Sequence, residues 1–217
     1  MSEVRKFSIK EAEKTRTIPF VFSDESRDAH GTILPVSGWD LDRFNKNGIA
    51  FYQHNSGSSD PDQIIGRAKA WIEKKELLGE ITFENGNTNP LAEKVFQKFL
   101  TGTLNAVSVG FLPKEKGRWG EGKESLDGEM PTYYYGKREL LEISVVSIPS
   151  NKNAIARALG SELDQEVSSD EGYFATGCVR ELENVESEEA PESKITEEQK
   201  QRADAAYDKA MKSLGYV

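Results

Sequence analysis

The stretch LNAVSVGF, residues 104–111, is a short apolar run that contains a single hydroxyl, on Ser108. Its β-branched valines are typical of a strand, in which successive side chains point to opposite faces. This alternation predicts that both valines and Phe111 face the core. Ser108 then shares the other face with two small residues, Ala106 and Gly110, which leave room for a substrate.

Strand patterns also appear on both sides of this stretch. Residues 17–23 (TIPFVFS) and 49–55 (IAFYQHN) are rich in apolar and aromatic residues, and residues 64–83 read as two strands of a hairpin around the polar EKKE. Residues 139–151 (ELLEISVVSIPSN) form a further predicted strand, which carries Glu142 inside an apolar run.

Helical periodicity is clearest in residues 87–103 (NTNPLAEKVFQKFLTGT). Asn89 suits the N-cap, Pro90 suits the first helical position and Gly102 suits the end. Residues 39–48 predict a short helix or turn. Residues 114–138 show no sustained period, and we interpret them as a long loop that ends in the start of an aromatic strand.

The ends of the chain differ from its middle. We predict an N-terminal extension at residues 1–14, one folded domain at 15–159 and an acidic, flexible linker at 160–195. Residues 196–217 have the capping and apolar spacing of an amphipathic C-terminal helix. Such a helix would either dock on a partner or pack back onto the domain, and the linker favours docking.

Composition excludes several classes of function. The 217 residues carry a formal net charge of −9, which argues against binding to nucleic acid or to an anionic membrane surface. The absence of a long apolar run and of a signal-like N-terminus predicts a cytoplasmic protein without membrane contact. One cysteine, Cys178, and two histidines make an internal disulfide or a zinc site improbable, so no metal or cofactor is expected.

A serine hydroxyl becomes a nucleophile when a base takes its proton, and histidine is the usual base. His30 lies in the turn-like DAHG, where a solvated surface residue is expected, whereas His54 ends a strand that fixes its orientation. A buried carboxylate such as Glu142 would orient that histidine. The alternatives are a structural His54 and a Glu142 on the exposed face of an edge strand.

The ordered segments FYQHN, GTLNAVSVGF and LLEISVVSIPSN resemble those of the prohead maturation proteases of tailed bacteriophages. This serine protease family is related to the herpesvirus assembly proteases. The resemblance covers about residues 15–158. It implies Ser108 as nucleophile, His54 as general base and Glu142 as the acidic third member. It also implies an α+β fold in which a β-barrel-like core of the herpesvirus-protease type is flanked by helices.

Two residues depart from the family's usual segments. Asn55 replaces an acidic residue after the histidine, and Ser150 stands where alanine is common. Because the first change leaves the group that orients His54 less certain, three aspartates remain substitutes for Glu142. They are Asp24, Asp28 and Asp62. Asn151, in the loop after the Glu142 strand, is a candidate oxyanion-hole residue.

The resemblance implies a serine endopeptidase of the Ser-His-acid type that processes capsid or scaffold proteins, and itself, during prohead maturation. It would act inside the immature prohead in the cytoplasm of the bacterial host. The expected partner is the major capsid protein or its scaffold region, with the portal, a scaffold protein or further copies of this chain as other partners. The alternatives are a non-catalytic assembly or scaffolding module of the same fold and an unrelated β-rich binding domain with an acidic tail.

Overall fold

The structure is a computed structural model that describes residues 8–121, 132–157 and 201. Its main element is a mixed sheet of seven strands. The strands are β1 (Thr17–Asp24), β2 (Thr32–Ile33), β3 (Trp39–Asp40), β4 (Ile49–Tyr52), β5 (Ile64–Glu73), β6 (Glu76–Phe83), β7 (Ala106–Pro113), β8 (Arg118–Trp119), β9 (Tyr133–Tyr134) and β10 (Arg138–Val146). The α-helices are α1 (Ile9–Thr15), α2 (Asp42–Lys46) and α3 (Pro90–Leu100), and short 3-10 helices span Val36–Gly38 and Pro61–Gln63.

Strand β10 occupies a central place in the sheet. The strand order is β1-β6-β5-β4-β10-β3, and β7 also pairs with β10. Both β3 and β4 run parallel to β10, whereas β7 runs antiparallel to it. The strand before His54 and the strand that carries Ser108 therefore flank the strand that carries Glu142. A second, small sheet has the order β2-β9-β8.

Residues 154–157 connect the two ends of this curled sheet. An antiparallel bridge joins Phe20 of β1 to Ala156, and another joins Ala106 of β7 to Ile155. The backbone hydrogen bonds alternate between the two strands, as they do in an inserted strand. The result agrees with the predicted α+β class and barrel-like sheet with few helices. The relation to herpesvirus proteases stays a prediction.

The predicted helix is found as α3. The Asn89 side chain accepts a hydrogen bond from Ala92 N (2.9 Å), and caps of this kind typically contribute about 1 kcal/mol. Its Nδ2 also donates to the backbone oxygens of Asp62 and Ile64, both at 2.9 Å. The apolar face of α3 is buried against the sheet, and burial of such large side chains contributes about 1.5–3 kcal/mol each. The residues on this face are Ala92, Val95, Phe96 and Phe99.

The hairpin of β5 and β6 and the predicted strands at β1, β4, β7 and β10 are confirmed. The aromatic strand start at the end of residues 114–138 is confirmed as β9, but β8 lies within the predicted loop. β8 forms because Trp119 packs edge-on against Tyr133 at a ring distance of 4.8 Å while the two strands pair. Aromatic cross-strand pairs of this kind stabilise short strands that the chain's periodicity does not predict.

The predicted N-terminal extension contains helix α1, in which Ser8 caps the first turn and Ala12 is fully buried. The predicted acidic linker at 160–195 lies outside the described residues. The predicted C-terminal helix at 196–217 also lies outside them, except for residue 201. No helix in the described parts of the chain is long and apolar enough to cross a membrane.

Candidate active site

His54 and Glu142 are hydrogen-bonded, with 2.7 Å between His54 Nδ1 and Glu142 Oε1. The Glu142 side chain is 11% exposed and the His54 side chain 43% exposed. A carboxylate that is nearly buried therefore holds one ring nitrogen of an accessible imidazole. The structure places Glu142 inside the sheet and not on an exposed strand face.

A sharp turn after β4 brings His54 to Glu142. In the parallel register Tyr52 lies beside Val145, so a straight strand would carry His54 beyond Glu142. Gln53 and His54 instead adopt left-handed backbone conformations, with φ of 55° and 56°. Non-glycine residues seldom adopt this region, and such conformations occur often at functional sites. The two residues turn the chain back over β10.

The carboxylate of Glu142 is held by His54 and Ser56 in the turn after β4 and by Ser144 on its own strand. Ser144, fully buried on the same strand, donates its hydroxyl to Glu142 Oε1 at 3.3 Å. Burial, the largest single influence, raises the pKa of Glu142, but hydrogen bonds from His54, Ser56 and Ser144 and the charge of His54 outweigh it and hold that pKa below its ordinary value. Glu142 is therefore ionised at neutral pH.

Ser108 lies on β7 directly opposite Ser144 of β10. It lines a cavity of about 310 Å³ together with His54. Within the described residues no hydrogen bond joins Ser108 to His54, and such bonds are often long in enzymes without substrate. The other residues that line the cavity are Phe22, Asp28, His30, Thr32, Leu34, Val109, Phe111, Tyr135, Ser150, Asn151 and Ala154.

The faces of β7 follow the predicted alternation only in part. Val107 is fully buried in the core, as expected. Val109 and Phe111 are half-buried, because they pack against the core on one side and line the cavity on the other. Ser108 is therefore beside an apolar wall that could contact a substrate.

His30 was predicted to be a solvated turn residue, and it is exposed in a turn. Its backbone N–H donates to Asp28 Oδ1 at 2.9 Å, so that carboxylate organises the turn. His30 also lines the cavity that contains Ser108, and no sequence pattern indicates this position. The two histidines of the chain thus face the same space.

The predicted oxyanion-hole residue, Asn151, also lines the cavity. Its Nδ2 donates to Asp24 Oδ1 at 2.8 Å and to Asp24 O at 3.3 Å, while its Oδ1 accepts from Asn153 N at 2.9 Å. Asn151 as a whole is 8% exposed. Asn151 therefore ties the loop after β10 to the end of β1.

The three aspartates considered as substitutes for Glu142 have other contacts. Asp24 accepts from Asn151 and from the Ser26 hydroxyl. Burial, the largest influence, raises the pKa of Asp24, but these and further hydrogen bonds outweigh it and keep the pKa below its ordinary value. Asp28 holds the His30 turn, and Asp62 lies in a 3-10 helix. Glu142 is the carboxylate that the structure brings to His54.

Within the described residues no group of three histidine, cysteine, aspartate or glutamate side chains is arranged to hold a metal ion. A serine nucleophile with a histidine base requires none.

A histidine bonded to a nearly buried carboxylate, in a cavity lined by a strand serine, is an arrangement suited to serine hydrolases. The comparison with protein families gives the class independently: residues 18–167 match the model of the caudovirus prohead serine protease family. The chain belongs to this family. The resemblance predicted from FYQHN, GTLNAVSVGF and LLEISVVSIPSN is thereby confirmed.

Among solved structures the chain is similar to the capsid assembly protease gp21 of bacteriophage T4. The TM-score is 0.45 at 14% sequence identity, and the similarity covers 61% of this chain and 82% of the T4 protein. No curated protein sequence matches the chain.

Proposed function

We propose that the protein is a serine endopeptidase in which Ser108 is the nucleophile, His54 the general base and Glu142 the residue that orients His54. The observation that carries this assignment is the 2.7 Å bond between His54 and Glu142 beside the cavity that Ser108 lines. Family membership supports the serine protease chemistry.

In the proposed mechanism the Nδ1–H group of His54 donates a hydrogen bond to the Glu142 carboxylate, and the unprotonated Nε2 acts as the base. Ser108 Oγ attacks the carbonyl carbon of the substrate peptide while Nε2 takes the hydroxyl proton. Nε2 then gives this proton to the leaving amine, and the acyl group stays on Ser108. A water molecule activated by Nε2 hydrolyses the ester and restores the enzyme.

Glu142 stabilises the positive imidazolium that forms in both steps and keeps the ring in one tautomer. Asn151 is the proposed side-chain donor of the oxyanion hole. Its 3.3 Å bond to Asp24 O is the longer of its two donor contacts and could be exchanged for the substrate oxygen. The 2.8 Å bond to Asp24 Oδ1 would keep the amide in place.

We propose the major capsid protein or its scaffold region as the substrate, inside the immature prohead in the host cytoplasm. A portal or scaffold protein, further copies of this chain and its own acidic segment are the other proposed contacts. These assignments depend on family membership. The net charge of −9 supports a protein substrate over nucleic acid.

The nucleophile is tested with a small fluorophosphonate probe that lacks a peptide chain. The wild-type protein should gain one probe mass at Ser108, and Ser108→Ala should gain none. Ser147→Ala is the matched control, because Ser147 is an exposed serine at the end of the same strand pair. An unlabelled wild-type protein would favour the non-catalytic assembly module of the same fold.

The substrate is tested by co-expression of the protein with the capsid protein of the same phage. Intact mass should show shortened capsid protein with the wild type and full-length capsid protein with Ser108→Ala. Full-length capsid protein in both cultures, from protein that the probe still labels, would reject the capsid substrate and leave the protease activity standing.

A further inference from the structure

Ser144 is a fully buried serine on the face of β10 that points away from the hydrophobic core. Its two neighbours along the strand, Ile143 and Val145, belong to that core, and successive side chains of a strand point to opposite faces. Packing against the core therefore does not account for the burial of Ser144. Its hydroxyl instead donates a hydrogen bond to Glu142 Oε1 at 3.3 Å.

Glu142 Oε1 is also the atom that accepts the hydrogen bond from His54 Nδ1, at 2.7 Å. A carboxylate oxygen has two lone pairs, so it can accept both hydrogen bonds at once. Ser56, in the turn after β4, makes a further side-chain hydrogen bond to the same carboxylate. Two hydroxyls, one on the sheet and one in the turn that carries His54, thus hold the carboxylate where it meets the imidazole.

The orientation of the His54 ring depends on this carboxylate. The side chain of His54 is 43% exposed, and the hydrogen bond that its ring makes within the described residues is the one to Glu142. Glutamate is among the side chains with the most rotamer freedom, so its carboxylate needs contacts of its own to stay in one place. Contacts that fix Glu142 therefore also fix the ring.

Ser144 also lies next to the proposed nucleophile. It is directly opposite Ser108 in the antiparallel pair of β7 and β10, just as Glu142 is opposite Gly110. Directly opposite residues share a face of the sheet, with Cβ atoms about 5 Å apart. The pairing of β7 with β10 therefore sets the separation between the reacting hydroxyl and the hydroxyl that holds the carboxylate.

We propose that Ser144 and Ser56 are positioning residues, which hold the Glu142 carboxylate against His54 so that the ring keeps the orientation in which Nε2 serves Ser108. The inference rests on the proposed function, which supplies Ser108 as nucleophile and His54 as base. Both serines act through Glu142 and not on the substrate. Their loss should therefore slow the reaction only when residue 142 carries a charge.

The test measures the rate at which a small fluorophosphonate labels Ser108 in the full-length protein, followed by intact mass. Ser144→Ala should slow labelling by about tenfold, the effect expected when a transition state loses one hydrogen bond to a charged group. Ser56→Ala should slow it by about threefold, because Ser56 is exposed and water can replace part of its contact. Ser56→Thr keeps the hydroxyl and should label at the wild-type rate.

A double-mutant cycle with Glu142→Gln separates a positioning role from a packing role. In the Glu142→Gln protein the further change Ser144→Ala should alter the labelling rate by less than about twofold, because a neutral amide does not stabilise the imidazolium however it is held. Equal losses in the two backgrounds would show that Ser144 supports the fold and not the carboxylate, which would overturn the inference.

Ser23→Ala is the matched control, because Ser23 is also buried and its hydroxyl bonds to a backbone oxygen, Asp24 O, at 3.4 Å. This variant should label within about twofold of the wild-type rate. A tenfold loss here as well would assign the effect to the removal of any buried hydroxyl and would overturn the inference.

The two Ser56 variants test the inference independently of the folding of Ser144→Ala, since Ser56 is exposed. Equal labelling rates for Ser56→Ala and Ser56→Thr, or a wild-type rate for folded Ser144→Ala, would overturn it. Urea unfolding shows whether each variant is folded. Failure of the fluorophosphonate to label the wild-type protein would instead reject the proposed function.

Discussion

Gly110 and Glu142 lie opposite each other on β7 and β10, and the space that a side chain at Gly110 would occupy is filled by Glu142. A Cβ atom at Gly110 would lie 2.4 Å from Cγ, 2.9 Å from Cδ and 3.0 Å from Oε1 of Glu142. The absence of a side chain at Gly110 therefore has a second role besides leaving room for a substrate beside Ser108. It allows the carboxylate to lie across β7 and reach His54.

Gly110→Ala should displace the Glu142 side chain and with it the orientation of His54. We expect kcat/KM on a peptide substrate to fall about 100-fold, since small misplacements of a catalytic group have effects of this size. Overpacking should also lower the free energy of unfolding by about 1–3 kcal/mol. Activity is measured by steady-state cleavage and stability by urea unfolding.

Gly57→Ala is the matched control for this substitution. A Cβ at Gly57 would have no atom within 4 Å. The free energy of unfolding should therefore change by less than about 0.5 kcal/mol, and kcat/KM should remain at the wild-type value. Full activity of the Gly110→Ala protein would show that Glu142 does not act through its position against His54.

Ser108 and His54, the proposed nucleophile and general base, should have equally large effects on turnover. Ser108→Ala and His54→Ala should each reduce turnover by about a million-fold, because the members of such a unit act together. The change at Ser108 is small in volume, so the fold should persist. Single-turnover assays of the purified variants measure these losses, and normal turnover of the Ser108→Ala protein would disprove the assignment.

His30→Ala tests whether His30 takes part in the reaction or only lines the cavity. His30 is exposed, and the contact that holds its turn is made by the backbone N–H. We therefore expect a change of less than about tenfold in kcat/KM, since its ring is not bonded to the His54–Glu142 pair. A loss as large as that of His54→Ala would move the base to His30.

Glu142→Gln keeps the shape of the side chain but removes its charge. Turnover should fall by about ten-thousand-fold, less than for Ser108→Ala, because an amide cannot stabilise the imidazolium. Unchanged turnover across neutral pH would transfer the third role to one of the aspartates.

Glu142→Gln should also change how the free energy of unfolding depends on pH. The folded-state pKa of Glu142 lies below its ordinary value of 4.5, so the stability that its ionised form contributes is present above pH 4.5 and is lost as pH falls through the lower folded-state value. The difference in unfolding free energy between wild type and Glu142→Gln should therefore shrink on acidification. Urea unfolding at pH 7 and at pH 3 measures this difference. A difference that grows toward acid would show that the hydrogen bonds to ionised Glu142 do not stabilise the folded protein.

Much of the fold could be predicted from the sequence because its signals are local. Periodicity and the Asn89 cap predict α3, the apolar residues on both sides of the polar EKKE predict β5 and β6, and the apolar run around Glu142 predicts β10. The three candidate catalytic residues also have local signals, because Ser108 and Glu142 are polar residues inside apolar strands and His54 ends an aromatic strand. Their proximity, however, depends on the strand order, which places β10 between β4 and β7 and which no local pattern specifies.

Other features of the site have no clear sequence signal. The left-handed conformations of Gln53 and His54 are unusual for these residue types, and only the packing of the turn determines them. The extra residue in β10 before Glu142 and the insertion of residues 154–157 between β1 and β7 depend on contacts distant in sequence. The role of Gly110 follows from that register and could not be read from its size alone.

Asp24 supports the site through hydrogen bonds that hold the loop after β10. Its carboxylate accepts from Ser26 N (3.0 Å), the Ser26 hydroxyl (2.5 Å), Asn151 Nδ2 (2.8 Å) and Asn153 Nδ2 (2.6 Å). Asp24→Asn should weaken these bonds and lower the free energy of unfolding at pH 7 by about 2 kcal/mol, since hydrogen bonds to charged groups are among the stronger ones.

The folded-state pKa of Asp24 lies below its ordinary value of 3.8, so this stabilisation is present above that pH and is lost as pH falls through the lower value. Urea unfolding should accordingly show a large difference between wild type and Asp24→Asn at pH 7 and a smaller one at pH 3. Asp62→Asn is the control, with a change below about 0.5 kcal/mol, because the contact of Asp62 with Asn89 uses its backbone oxygen. Equal effects of the two substitutions would mean that the Asp24 carboxylate does not hold the loop.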